Sequence, residues 1–275
     1  MQTFARLEEV KSLLMDGQWC FSSLLHPYRE QISSVILAKK SLSTANIPVS
    51  QLSLLLYSTL PMEELSAAYS SPSRVLHFSN NCNSRVQEFL GGLFSAHNPP
   101  VFSQSDDDGE LKVQELTNAL ASYSLQLEKD FRSLDIRFFR LNTGDFFGAS
   151  HPKAIGIIAI NSGFKTLSFQ FQLRSLVHEL AHQELFLVNL LDRIILPGNE
   201  FHVAYAPLQK KERPLIGRIH SAHALFRMAQ FEKQQNLQCE TPSVQLLSQT
   251  IQSIPLHGLT DFGRFLVTEI YEKSI

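Results

Sequence analysis

The stretch 166–195 constrains this chain more than any other. Leu173, Leu176, Val177, Leu180, Ala181, Val188 and Leu191 recur at helical spacing, and Pro197-Gly198-Asn199 stops the pattern. A helix of that length with one apolar face has to be covered by other elements. The candidates downstream are a short extended piece at 202–207, a basic loop at 210–214, a second core helix at 214–235 and another helix at 259–272.

Upstream, apolar residues keep helical spacing near 2–15, 29–41, 49–59 and 84–95, and again over 110–133. Asn-Pro-Pro at 98–100 and Ser-Asp-Asp-Asp-Gly at 105–109 mark a loop. Its acidic triplet lacks the alternating ligand spacing of a cation site and reads as a solvated turn. Two stretches have strand character. The segment 136–141 is rich in β-branched and aromatic residues, and 155–160 is an apolar run too short for a helix. The turn 142–145 between them is Asn-Thr-Gly-Asp. The expectation is a helix-dominated α+β protein with the long helix packed on a second His-bearing helix. A single domain over 1–275 is expected, made of a helical region (1–97), a loop (98–109) and a second region (110–275).

Composition narrows the class. Of 275 residues, 44% are hydrophobic and 18% charged, which suits a packed core and not a disordered chain. A formal net charge of −2 gives no drive toward nucleic acid or anionic membranes. Cys20, Cys82 and Cys239 are odd in number and far apart, so reduced thiols are expected, without a disulfide framework. The first residues carry acidic side chains where a secretory signal needs an apolar stretch, and no apolar run approaches a membrane span. A cytoplasmic protein is expected.

The chemistry concentrates in His178-Glu179-Leu180-Ala181-His182. Histidines four apart on a helix share one face and can chelate one metal ion. The competing interpretation is two polar residues on a helix surface, but Val177, Leu180 and Ala181 argue for burial, and two buried imidazoles want a shared partner. A third ligand must come from elsewhere. Six residues after His182 stands Val188, so the metzincin pattern is absent. Glu200, His202, His220 and His223 are the downstream candidates. Asn161, at the end of the apolar strand, Tyr205 and His223 are candidates to line a pocket. Asp192, Asp135 and Asp145 read as surface acids, and Trp19 as core.

The series Ile155-Gly156-Ile157-Ile158-Ala159-Ile160-Asn161, His178-Glu179-Leu180-Ala181-His182, Tyr205-Ala206-Pro207 and Arg213-Pro214-Leu215-Ile216-Gly217-Arg218-Ile219-His220 resembles the HExxH-motif family of peptide-modification proteins. The resemblance covers roughly 150–228. It departs at Ala154-Ile155-Gly156, where the family carries Pro-Gly, and the first hundred residues have no counterpart. It implies an iron(II)- and 2-oxoglutarate-dependent dioxygenase that hydroxylates the β-carbon of an amino-acid residue. Its substrate would be a peptide, a free amino acid or a carrier-bound one, so a precursor peptide or carrier protein is the implied partner. It also implies His178, His182 and His220 as metal ligands and Arg213, with Arg218 in reserve, for the distal carboxylate of 2-oxoglutarate. Three neutral imidazoles on one face would leave positions for the keto acid and dioxygen, and a guanidinium fork suits a carboxylate.

Two other interpretations stand beside it. One is a zinc metallopeptidase in which Glu179 is the general base and Glu200 or His220 the third ligand. In the oxygenase, Glu179 would instead orient a ligand or hold the substrate's amine. The other is a non-enzymatic helical partner-binding protein. No Gly-rich phosphate loop or nucleophile elbow supports a nucleotide or serine-hydrolase function.

Overall fold

The computed structural model describes residues 2–40, 47–69, 74–76, 84–94, 113–141 and 147–273. The turn at 142–145, with Asp145, and the loop at 98–109 lie outside them. The architecture is helix-dominated α+β, as the periodicities predict. None of the described helices is long and apolar enough to cross a membrane. The chain forms two compact units, 1–24 with 176–275, and 25–175; their boundaries fall inside two helices.

The unit formed by 25–175 holds most of α2 (Phe21–Lys40), then α3 (Val49–Tyr57), α4 (Met62–Ala68), α5 (Ser84–Phe94), α6 (Val113–Tyr123) and α7 (Leu125–Ser133). It also holds a three-stranded sheet of β1 (Arg137–Leu141), β2 (Gly148–Ser150) and β3 (Ile157–Asn161), ordered β1-β3-β2. β1 runs parallel to β3, with Phe138 opposite Ile158, and β2 runs antiparallel to it. Ile157, Ile158, Ala159 and Ile160 are all buried, which explains their continuous apolar run. Gly156 sits at φ +83° with the Ser50 Cβ 2.6 Å from where its own Cβ would stand, so only glycine fits there.

Three departures from the sequence expectation stand out. The helix expected at 110–133 divides at Ser124, whose extended backbone and hydroxyl, accepting from the Leu127 amide at 3.1 Å, start α7 afresh. α2 begins eight residues earlier than expected and carries Pro27 inside it; Leu24 and Tyr28 on either side are buried, and tertiary packing overrides the missing N–H. β2 is a three-residue edge strand with no periodicity to reveal it.

The other unit is built on α8 (Phe169–Leu191), whose C-terminal part belongs to it, and α9 (Leu215–Gln234), flanked by α10 (Ser243–Gln252) and α11 (Asp261–Glu272), with α1 (Gln2–Met15) against α11. The expected basic loop at 210–214 is a strand. β5 (Lys211–Pro214) pairs antiparallel with β4 (Val203–Ala206), turning at Lys210 with φ 51°. α10 was not expected from its periodicity. Glu232 of α9 caps it, accepting from the Ser243 amide at 2.9 Å and hydroxyl at 2.6 Å. Leu180, Leu185, Val188, Ile219, Leu225 and Phe231 are fully buried and form the core beneath the histidine motif.

Candidate metal centre

α8 carries His178 and His182 one turn apart, as the spacing requires, and the rings meet edge to face with centroids 4.6 Å apart. Their Nε2 atoms approach to 3.0 Å. Two imidazoles on a metal with bonds of about 2.0–2.1 Å have their nitrogens about 2.9 Å apart at a right angle and about 3.3 Å apart at the tetrahedral angle. The pair therefore fits two adjacent positions on one ion. Among the described residues, no group of three or more His, Cys, Asp or Glu side chains is arranged to hold a metal ion. The donors present thus supply two positions.

The four downstream candidates for a third ligand separate cleanly. Glu200 folds onto its own loop, accepting from the Gly198 amide at 2.8 Å. His202 meets Arg218, its Nδ1 3.0 Å from the guanidinium. His223 gives its Nε2 to Glu184 at 2.8 Å. His220 alone reaches the pair, but its Nδ1 lies 3.4 Å from Nδ1 of His182, the nitrogen on the far side from the His178 contact. The three rings form a chain, His178 to His182 to His220, and do not converge. Phe186 packs against this chain, tilted with its centroid 4.7 Å from that of His220 and stacked at 6.4 Å from that of His182.

Burial keeps the His182 and His220 rings neutral. Burial, with the neighbouring His178, His220 and His223, holds His182 well below the ordinary histidine range. Burial and His223 bring His220 down to about 3. Neutral imidazoles with lone pairs are what a metal needs. Glu179 is buried, with Oε1 3.8 Å from Nε2 of His178, on the side where the two Nε2 atoms meet.

Of the two candidate arginines, Arg218 is already committed. It is fully buried and donates to the carbonyls of Ser253 and, at 2.9 Å, His202. Arg213 is half-buried in β5, opposite Ala204, and its side chain has no hydrogen bond or ion pair among the described residues. Tyr205 is 56% exposed and opposite Glu212, so the alternation of the hairpin puts it on the other face from Arg213. Asn161, in the other unit, caps the short 3-10 turn after β3 by accepting from the Phe164 amide at 3.2 Å.

Sequence reasoning missed the residues that lock α8 to α9. Glu184 is fully buried and accepts from both Nε and Nη2 of Arg227 at 3.0 Å, from His223, and from the Cys20 amide at 2.7 Å. Arg227 also donates to the carbonyls of Gly17 and Gln18, and its guanidinium lies 4.4 Å from the Trp19 ring centre. Burial pushes the Glu184 carboxyl up, but Arg227 and the bonds from His223 and Cys20 outweigh it and bring it to about 2. The signal was present. Glu184 is a lone acid among Ala181, Leu185 and Val188, and Arg227 a lone base between Phe226 and Met228.

No protein-family model matches the chain, and no curated protein matches it either.

Proposed function

We propose that the protein is an iron(II)- and 2-oxoglutarate-dependent oxygenase that hydroxylates an amino-acid side chain, in a peptide, a free amino acid or a carrier-bound one. The observation that carries the metal is the 3.0 Å approach of the two Nε2 atoms on α8. His178 and His182 would hold it. His220, which the resemblance makes the third ligand, touches His182.

With iron bound, such a centre would couple decarboxylation of 2-oxoglutarate by dioxygen to hydroxylation of a carbon. The protein's part is binding and orientation. Arg213 supports the co-substrate assignment. It is a guanidinium uncommitted among the described residues, just before the first turn of α9, where the helix dipole adds to the positive potential, and it would take the distal carboxylate in a two-pronged bond. Arg218 has no free fork to offer. Glu179, close to the metal-facing nitrogens, would orient His178 or the substrate's amine. A cytoplasmic location belongs to the same proposal.

One observation favours a second interpretation. A carboxylate 3.8 Å from the metal-facing nitrogen of His178 is also placed as the general base of a zinc peptidase would be. The two separate in one experiment. Protein loaded with iron(II) without oxygen should give a weak visible charge-transfer band on adding 2-oxoglutarate, and succinate when air is admitted. Absence of both band and succinate, with peptide cleavage by the zinc-loaded protein, would replace the oxygenase with the peptidase. A protein that takes up no divalent metal would leave the partner-binding interpretation.

A further inference from the structure

We infer that α9 supports the metal pair from behind: His220 and Met228 accept hydrogen bonds from the Nδ1–H groups of His182 and His178, so His220 is a positioning residue and not a ligand. This rests on the metal centre proposed above and not on which metal or reaction that centre serves.

A neutral imidazole has one N–H and one lone pair. If the metal takes the lone pair at Nε2, the proton sits at Nδ1 and needs an acceptor in the protein interior. Both Nδ1 atoms have one, and both acceptors come from α9. The Met228 sulfur lies 3.0 Å from Nδ1 of His178, and a thioether can only accept. Nδ1 of His220 lies 3.4 Å from Nδ1 of His182, so with the His182 proton between them His220 must present a bare lone pair there. The two rings are thereby turned with Nε2 forward, and the forward nitrogens are the ones that meet at 3.0 Å.

A ligand role for His220 would require one of its nitrogens beside the forward pair. Its contact is instead with the opposite nitrogen of His182. Phe186 packs on the rings of both His182 and His220 and holds their planes in that relation. Remaining positions on the metal are then open to water or to a chelating co-substrate.

Pulsed electron paramagnetic resonance on the copper(II)-loaded protein counts bound imidazoles without any turnover. The wild type should show two. His220→Gln, whose amide oxygen can still accept from His182, should show two with little loss of affinity. His220→Ala should show two with metal affinity weakened about 10–100-fold, the usual effect of removing such a partner. Met228→Leu, which keeps volume and loses the acceptor, should also keep two and bind more weakly. Three imidazoles in the wild type, falling to two in either His220 variant, would overturn the inference while leaving the metal centre intact. A wild-type protein that binds no copper would overturn both, and succinate formation tests the reaction separately.

Discussion

Acid should weaken the histidine-bearing unit well before it titrates Glu184, the carboxylate that locks α8 to α9. His182, His220 and His223 all have folded pKa values pushed down, chiefly by burial. The unfolded chain takes up these protons near pH 6.5, while the folded chain takes them up at lower pH, far lower for His182 and at about 3 for His220. Their contribution is therefore complete above about pH 6.5 and is lost as pH falls from there toward the folded values. Between pH 7.5 and 5.5 each imidazole locked neutral costs a little over 1 kcal/mol. His182 and His220 keep some surface exposure, so the two together should cost about 2 kcal/mol, and His223 adds a loss of the same sign.

The sequence supplies its own reporter, because Trp19 is the only tryptophan, is buried and lies against Arg227 of the same unit. Urea unfolding of the metal-free protein followed by Trp19 fluorescence should show the midpoint falling by about 0.7–1 M from pH 7.5 to 5.5, at a slope of about 2–3 kcal/mol per molar. Glu184, brought to about 2, contributes to a separate loss only as pH falls from about 4.5 toward that value. A midpoint that stays put between pH 7.5 and 5.5, or one that drops only below pH 4.5, would refute the assignment of neutral, buried imidazoles.

Three further outcomes follow from the same contacts. Glu184→Gln leaves the buried Arg227 without its counter-charge and should destabilise the unit by about 3–5 kcal/mol, read as the loss in the Trp19 urea transition at pH 7.5. Gly263→Ala would drive a Cβ into the Ile194 carbonyl oxygen, so α11 must shift; a cost of about 2–4 kcal/mol is expected in the same measurement. Glu179→Gln should keep metal stoichiometry, measured by elemental analysis, and lower succinate formation; abolished peptide cleavage with metal retained would point to the peptidase.

The helices were legible where a single face had to be apolar over several turns. α9 spans Leu215–Gln234 against an expected 214–235, and the strands at 137–141 and 157–161 fall within two residues of expectation at every end. What stayed hidden was fixed from outside the segment concerned. α10 is short, buries Ser243, Leu247 and Thr250, and takes its N-terminal cap from Glu232 on another helix, so its own residues carry little signal. β5 reads as a basic loop because Lys211, Glu212 and Arg213 have no strand preference; pairing with β4 makes it a strand.

The site divides along the same line. Spacing within one helix places His178 beside His182, and nothing outside α8 is needed to deduce that they share a face. Which nitrogen of each ring faces forward depends on what stands behind it, and that is decided by Met228 and His220 on α9. Sequence can place a histidine on the facing helix but cannot distinguish one that reaches past the pair to the metal from one that stops at its back. The same holds for the arginines. Arg213 and Arg218 are five residues apart and chemically alike, yet Arg218 is absorbed by the carbonyls of His202 and Ser253 while Arg213 is left uncommitted among the described residues. If the co-substrate is a dicarboxylate, Arg213→Ala should therefore raise its KM, whereas Arg218→Ala should first cost stability.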